Sequence, residues 1–296
     1  MASASPCNYC YSLIIITQLL VFCVAQEKIC PFEYVYQFGD SISDTGNLIR
    51  IGPVGAFAAS RLPYGETFFH RPTGRWSDGL LIIDFFAVAL QLPLLNPYLD
   101  RNASFDHGAN FAVAGSTALD PSFLAARGIQ PLAVDIPLST QLQWFKTFLN
   151  STCTSPAGLT LNNSLMEVIQ LGAIRIVVPG NFPVGCFPFA LTALPSADPT
   201  AYDEFGCLRD LNNFAVFQNN YLQGFDPRTL LKSCCGIGGP YNFDINRLCG
   251  SQGVPLCPNV NQHIFWDGLH LTQEAYHRIS EILIPDILSR IQCDIV

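Results

Sequence analysis

Charge is what this chain has least of. Charged residues make up 13% of its 296 residues, against 49% hydrophobic and 12% aromatic. So few charges among so many apolar side chains exclude a disordered protein. The length leaves room for one large core or two modest ones. Basic residues are the scarcer kind: 15 Lys and Arg stand against 23 Asp and Glu, a formal net charge of −8 at pH 7. That balance offers no basic surface for nucleic acid, and the acidity itself reads as ordinary solubility. Internal repeats and low-complexity tracts are absent. Beyond the first 25 residues no apolar run is long enough to span a bilayer.

Those first residues read as a signal peptide. "YSLIIITQLLVFCVA" supplies the apolar stretch and small residues before a cut after Ala25, although no Lys or Arg precedes it. A membrane anchor is the alternative, but the run is short and Gln18 interrupts it. Of 12 cysteines, Cys7, Cys10 and Cys23 leave with that segment, so an odd number remains: Cys30, Cys153, Cys186, Cys207, Cys234, Cys235, Cys249, Cys257 and Cys293. An odd set leaves one unpaired or signals missing sequence. The pair Cys234–Cys235 followed by Cys249 and Cys257 invites zinc, but His263 is not at ligand spacing and an oxidising compartment favours disulfides. Sequons at Asn102, Asn150 and Asn162 agree with export.

Hydrophobic periodicity sketches alternating strands and helices. "EYVYQF" (33–38) is aromatic and β-branched and ends at a glycine, so a buried strand is expected. Residues 46–78 are rich in Gly, Pro and Arg and read as loop. A helix is expected over 77–92, capped by Ser77 or Asp78 and stopped by Pro93. A short strand should lie within 107–119. Residues 136–150 put Leu138, Leu142, Phe145 and Leu149 on one helical stripe, with Ser139 or Thr140 as cap. A helix over 161–173 and a strand over 174–181 give the αβ half of a βαβ unit. A loop-rich, cysteine-bearing stretch follows, then a short extended segment at 263–267 and a last helix over 271–291 bent at Pro285. The alternation predicts a parallel α/β sheet.

In such sheets ligands sit at the carboxyl ends of strands. Ser41 directly follows the first one, in "YQFGDSISDTGN". A lone serine after a Gly-Asp turn is more often a helix cap than a nucleophile, and Ser43 competes as cap. A base is needed, and "DGLH" supplies one. Asp267 and His270 stand at i and i+3 before a helix, where a carboxylate can orient an imidazole that takes the serine proton. His70, His107, His263 and His277 have no such context.

Together "FGDSISDTGN", "GANFAVAG" and "WDGLHLTQEAY", in that order, resemble the plant GDSL esterase/lipase family of the SGNH hydrolases. "QLGAIRIVVPGNFPVGC" and "LKSCCGIGGPYNF" resemble its plant branch, and the likeness runs from about Phe32 to the C-terminus. The resemblance implies one domain over 26–296 with a flavodoxin-like α/β/α sandwich and a mostly parallel sheet. It implies Ser41 as nucleophile, Asp267 and His270 as its partners, and oxyanion donors from the backbone N–H groups of Ser41 and Gly115. Asp40 and Asp44 brace the loop. The family's Gly-x-Asn-Asp block, which supplies an oxyanion Asn, is not found. Only "STCTSPAGLT" stands in its place, and a second gap falls after "NNYLQ". One or two strands are therefore expected to be missing. Asn181 belongs to a different segment of the family.

The expectation is a secreted serine esterase or lipase, in the cell wall, apoplast or vacuole, that cleaves small-molecule or lipid esters through an acyl-enzyme. It should need no cofactor or metal and stay out of the membrane once the signal is removed. The alternatives are a weak or inactive shortened relative that binds ester-like ligands, and an acyltransferase using the same residues.

Overall fold

The computed structural model describes residues 32–128, 134–152, 175–177, 182–212, 231–291 and 293. The predicted signal peptide, the helix expected over 161–173, Asn162 and Asn181 lie outside them. Of the strand expected over 174–181 only residues 175–177 are described, and these are not in a strand.

Strand β1 (Val35–Gln37) pairs in parallel with β2 (Gly108–Asn110), Val35 opposite Gly108 and Gln37 opposite Asn110. Among the described residues this is a two-stranded sheet. The pairing runs on past the strands, since the N–H groups of Phe111 and Val113 donate to the carbonyls of Gln37 and Gly39. Gly108 lets the two backbones meet: its φ is +105°, and a Cβ there would lie 1.9 Å from the Val35 carbonyl oxygen.

Side chains of a strand alternate between faces, and here the alternation sorts the layers. Tyr36 and Phe38 point to helix α3 (Leu138–Thr152), their rings 5.0 and 5.4 Å from that of Phe145. Phe111 and Phe148 complete an aromatic cluster on that side. Val35 points the other way, toward Phe85 and Phe86 of α1 (Ile82–Ala89) and Ile284 and Leu288 of α6 (Gln273–Arg290). Helices on both faces of a parallel pair make the expected α/β/α arrangement. Shorter helices α2 (Pro121–Ala125), α4 (Pro188–Ala193) and α5 (Arg209–Asn212) lie in the connections.

The helix ends differ from the local reading. Helix α1 starts at Ile82, and neither Ser77 nor Asp78 caps it; the Asp84 carboxylate accepts the Leu81 N–H instead. Asp78 accepts the Gln273 N–H at 2.6 Å, at the start of α6, where Thr272 is the N-cap. Ser139 donates to Asp120 rather than capping α3. Pro285 lies inside α6.

Disulfides hold the loop-rich region: Cys186–Cys207, Cys234–Cys257 and Cys235–Cys249. Cys293 is also disulfide-bonded. Each closed loop restricts the unfolded chain, worth about 3 kcal/mol for a loop of some 15 residues. Cys234, Cys257 and His263 bring possible metal-ligand atoms within 4.8 Å of one another. The two sulfurs are bonded to each other, so no thiolate pair is left for zinc. Asn102 and Asn150 are exposed. No helix among the described residues is long and apolar enough to cross a membrane.

Candidate active site

Because β1 and β2 run parallel, the chain leaves both at the same end. Ser41 follows the first and Gly115 the second. The first turn is built by Gly39 and Asp40. Gly39 adopts φ +143°, and a Cβ there would stand 2.7 Å from the Ser43 hydroxyl. The Asp40 carbonyl accepts the N–H groups of Ser43 and Asp44, and its carboxylate accepts that of Ile42 at 3.0 Å. Ser41 sits half-buried on this turn. Its hydroxyl and its N–H have no hydrogen-bond partner among the described residues, and neither does the Gly115 N–H.

Buried polar side chains tie the two turns together. The Asp44 carboxylate accepts the N–H groups of Gly46, Asn47 and Leu48 on its own side and of Ala114 across the gap. Burial pushes this carboxyl above its ordinary value, and the four N–H donors pull it only part of the way back. Asn47 donates to the carbonyls of Asn110 and Ala112, and Asn110 donates to that of Ser43. From α3, the fully buried Gln141 accepts the Gly39 N–H at 2.9 Å and donates to the Gly39 carbonyl and the Ser116 hydroxyl. One amide thus clamps the residue two before Ser41 and the residue after Gly115.

Asp267 and His270 come together as expected. Imidazole Nδ1 lies 2.9 Å from both oxygens of the carboxylate. Oxygen Oδ1 also accepts the N–H groups of Leu269 and His270, which closes the turn. Oxygen Oδ2 accepts the hydroxyl of Tyr64, a fully buried residue. Burial alone would raise the Asp267 carboxyl. The charge of His270, its ring N–H, the Tyr64 hydroxyl and the His270 backbone N–H outweigh burial, so the carboxyl lies below its usual range. An ionised carboxylate on Nδ1 fixes the tautomer that leaves Nε2 as the acceptor. The Trp76 ring lies on the imidazole, 4.9 Å between centroids. Nε2 is buried and has no hydrogen-bond partner among the described residues, so the bond expected between it and Ser41 is not made in this structure.

A parallel α/β core with a serine turn at one strand end and a buried Asp–His pair is the framework of a hydrolase. The chain matches the GDSL-like Lipase/Acylhydrolase family over residues 35–173. It is 43% identical to acetylajmalan esterase 1 of Rauvolfia serpentina, over 96% of this chain and 94% of that one. It is 44% identical to acetylajmalan esterase 2 of the same plant, over 98% and 99%. A GDSL esterase/lipase of Arabidopsis thaliana is 36% identical, over 91% of this chain and 86% of its own. The chain belongs to the plant GDSL esterase/lipase family, and its chemistry is the hydrolysis of carboxylic esters. The first of these alignments extends over 359 positions, more than the 296 residues present here, so that relative carries residues within the matched span that face none in this chain.

Proposed function

We propose that the chain is a secreted, glycosylated serine esterase that removes a small acyl group from a plant specialised metabolite. Ser41 attacks the ester carbonyl while His270 Nε2 takes its proton. Negative charge on the tetrahedral oxygen meets the N–H groups of Ser41 and Gly115. Collapse releases the alcohol, which takes the proton from His270. Water, deprotonated by the same imidazole, then frees the acid and restores Ser41. Asp267 stays ionised throughout and steadies the imidazolium. The observation that carries the reading is the buried Asp267–His270 pair in a chain whose Ser41 hydroxyl has no partner among the described residues. The substrate class rests on the names of the two Rauvolfia esterases, and an acetylated alkaloid is the first compound to test. With p-nitrophenyl acetate, a burst of p-nitrophenol equal to the enzyme present is expected, then a slower steady rate. Hydrolysis with no burst, and with no acyl-enzyme trapped on acid quench, would overturn the acyl-enzyme step.

A second reading is a slow form of the same enzyme. Two observations favour it: the length by which the alignment exceeds this chain, and a His270 Nε2 with no partner among the described residues. An oxyanion hole with backbone donors alone lacks a side-chain donor worth about 3–4 kcal/mol. Inserting the Gly-x-Asn-Asp segment of a full-length relative in place of "STCTSPAGLT" is expected to raise kcat by roughly 10²–10³-fold. An unchanged kcat in a folded insertion variant would rule this reading out.

A further inference from the structure

We infer that Tyr64 is a positioning residue for His270, acting through Asp267, an inference that rests on the triad reading above. The two carboxylate oxygens are held unequally. Oδ1 is anchored by two backbone N–H groups of its own turn, those of Leu269 and His270. Oδ2 shares the imidazole N–H and has one other donor among the described residues, the Tyr64 hydroxyl. Tyr64 therefore decides how much charge Oδ2 keeps to offer the imidazole.

The phenol is built into a rigid place. Its ring meets those of Trp76 and Trp266 edge-on, each 5.7 Å away, and Trp76 also lies on the imidazole. Burial, then the charge of Asp267 and the hydrogen bond to it, hold the Tyr64 hydroxyl well above its ordinary value; Arg61 opposes them and does not prevail. The hydroxyl keeps its proton and serves Asp267 as donor only. Besides His270 and Tyr64, the titratable group facing Asp267 among the described residues is Tyr276 on α6, which donates nothing to it and accepts the Leu271 N–H. Asp40 and Asp78 bear on Tyr276 more remotely. Besides the imidazole, no other side chain among the described residues donates to Oδ2.

Tyr64→Phe keeps the ring and deletes the donor. The carboxylate then carries more charge against Nδ1–H and holds the imidazolium more tightly. The acid limb of kcat/KM is expected to move up by roughly half to one pH unit. In an Asp267→Asn background the same change should move it not at all, a non-additive cycle. A purely structural Tyr64 would lower the melting temperature and leave the limb in place, which would overturn the inference, as would equal shifts in both backgrounds. The control Ser41→Ala separates the layers. If it stays active, the triad reading itself fails; if it is dead and the limb does not move, only the role of Tyr64 fails. Should Tyr64→Phe not fold, the Ser41→Ala chain still carries the native pair. There the Tyr64 hydroxyl proton should be slow to exchange and should shift as His270 titrates. A proton that exchanges freely, or one blind to that titration, would overturn the inference.

Discussion

Replacing Ser41 with alanine is expected to lower kcat on p-nitrophenyl acetate by roughly 10⁴-fold or more while leaving the fold untouched. The structural half of that expectation follows from the turn. The Ser41 hydroxyl has no partner among the described residues, so removing it leaves no buried group unsatisfied. The turn is held by the Asp40 carbonyl and carboxylate, which the substitution does not touch. Melting temperature should therefore change by no more than a degree or two, as for surface substitutions within about 0.5 kcal/mol. Labelling by a fluorophosphonate should vanish together with turnover. Ser41→Ala combined with His270→Ala should fall hardly further than either alone, because nucleophile and base act as a unit. A folded Ser41→Ala chain that keeps a tenth of the parent rate would remove Ser41 from the chemistry.

The candidate residues were legible in the sequence because each sits in a short, contiguous motif at the end of an element. Ser41 follows the strand that "EYVYQF" announced, and Asp267 and His270 meet within a single turn. The aromatic face of that strand and the stripe on α3 were legible too, since alternation and 3.6-residue periodicity are local. What failed was every contact closed over a long loop. Asp78 looked like a cap for the helix just after it, but its backbone partner is Gln273, 195 residues away. Tyr64 reaches Asp267 across 203 residues, with nothing in "RLPYGE" to mark it. Gln141 clamps Gly39 across 102 residues. A signal for that one was present: a lone amide beside Leu138, Leu142 and Phe145 on the apolar stripe must find buried partners. Asp84, an acid within an otherwise apolar helix, carried the same message.

That acid gives the second large effect. Arg75 and Asp84 are 5% and 0% exposed. Nε and Nη2 of the guanidinium donate to the two carboxylate oxygens at 2.8 and 2.7 Å, a bidentate pair. Arg75 also covers the Phe69 ring at 4.7 Å, and its Nη1 stands 3.5 Å from the Thr45 carbonyl in the loop after Ser41. Removing one partner strands the other charge in the core. Arg75→Met is therefore expected to cost about 3–5 kcal/mol, a large share of the 5–15 kcal/mol that holds an ordinary domain together. The double change Arg75→Met, Asp84→Leu should recover most of that loss, because an apolar pair leaves no unpaired charge. It should not recover all of it, since Asp84 also accepts the Leu81 N–H that starts α1, a cap worth roughly 1 kcal/mol. Urea unfolding with unchanged m-values measures the three free energies. A single variant within 1 kcal/mol of the parent would show that the pair is not the buried lock described here. A double variant as unstable as the single one would show that the stability resides in the Thr45 and Leu81 contacts, and that the loop behind Ser41 depends on Arg75 itself rather than on its charge partner.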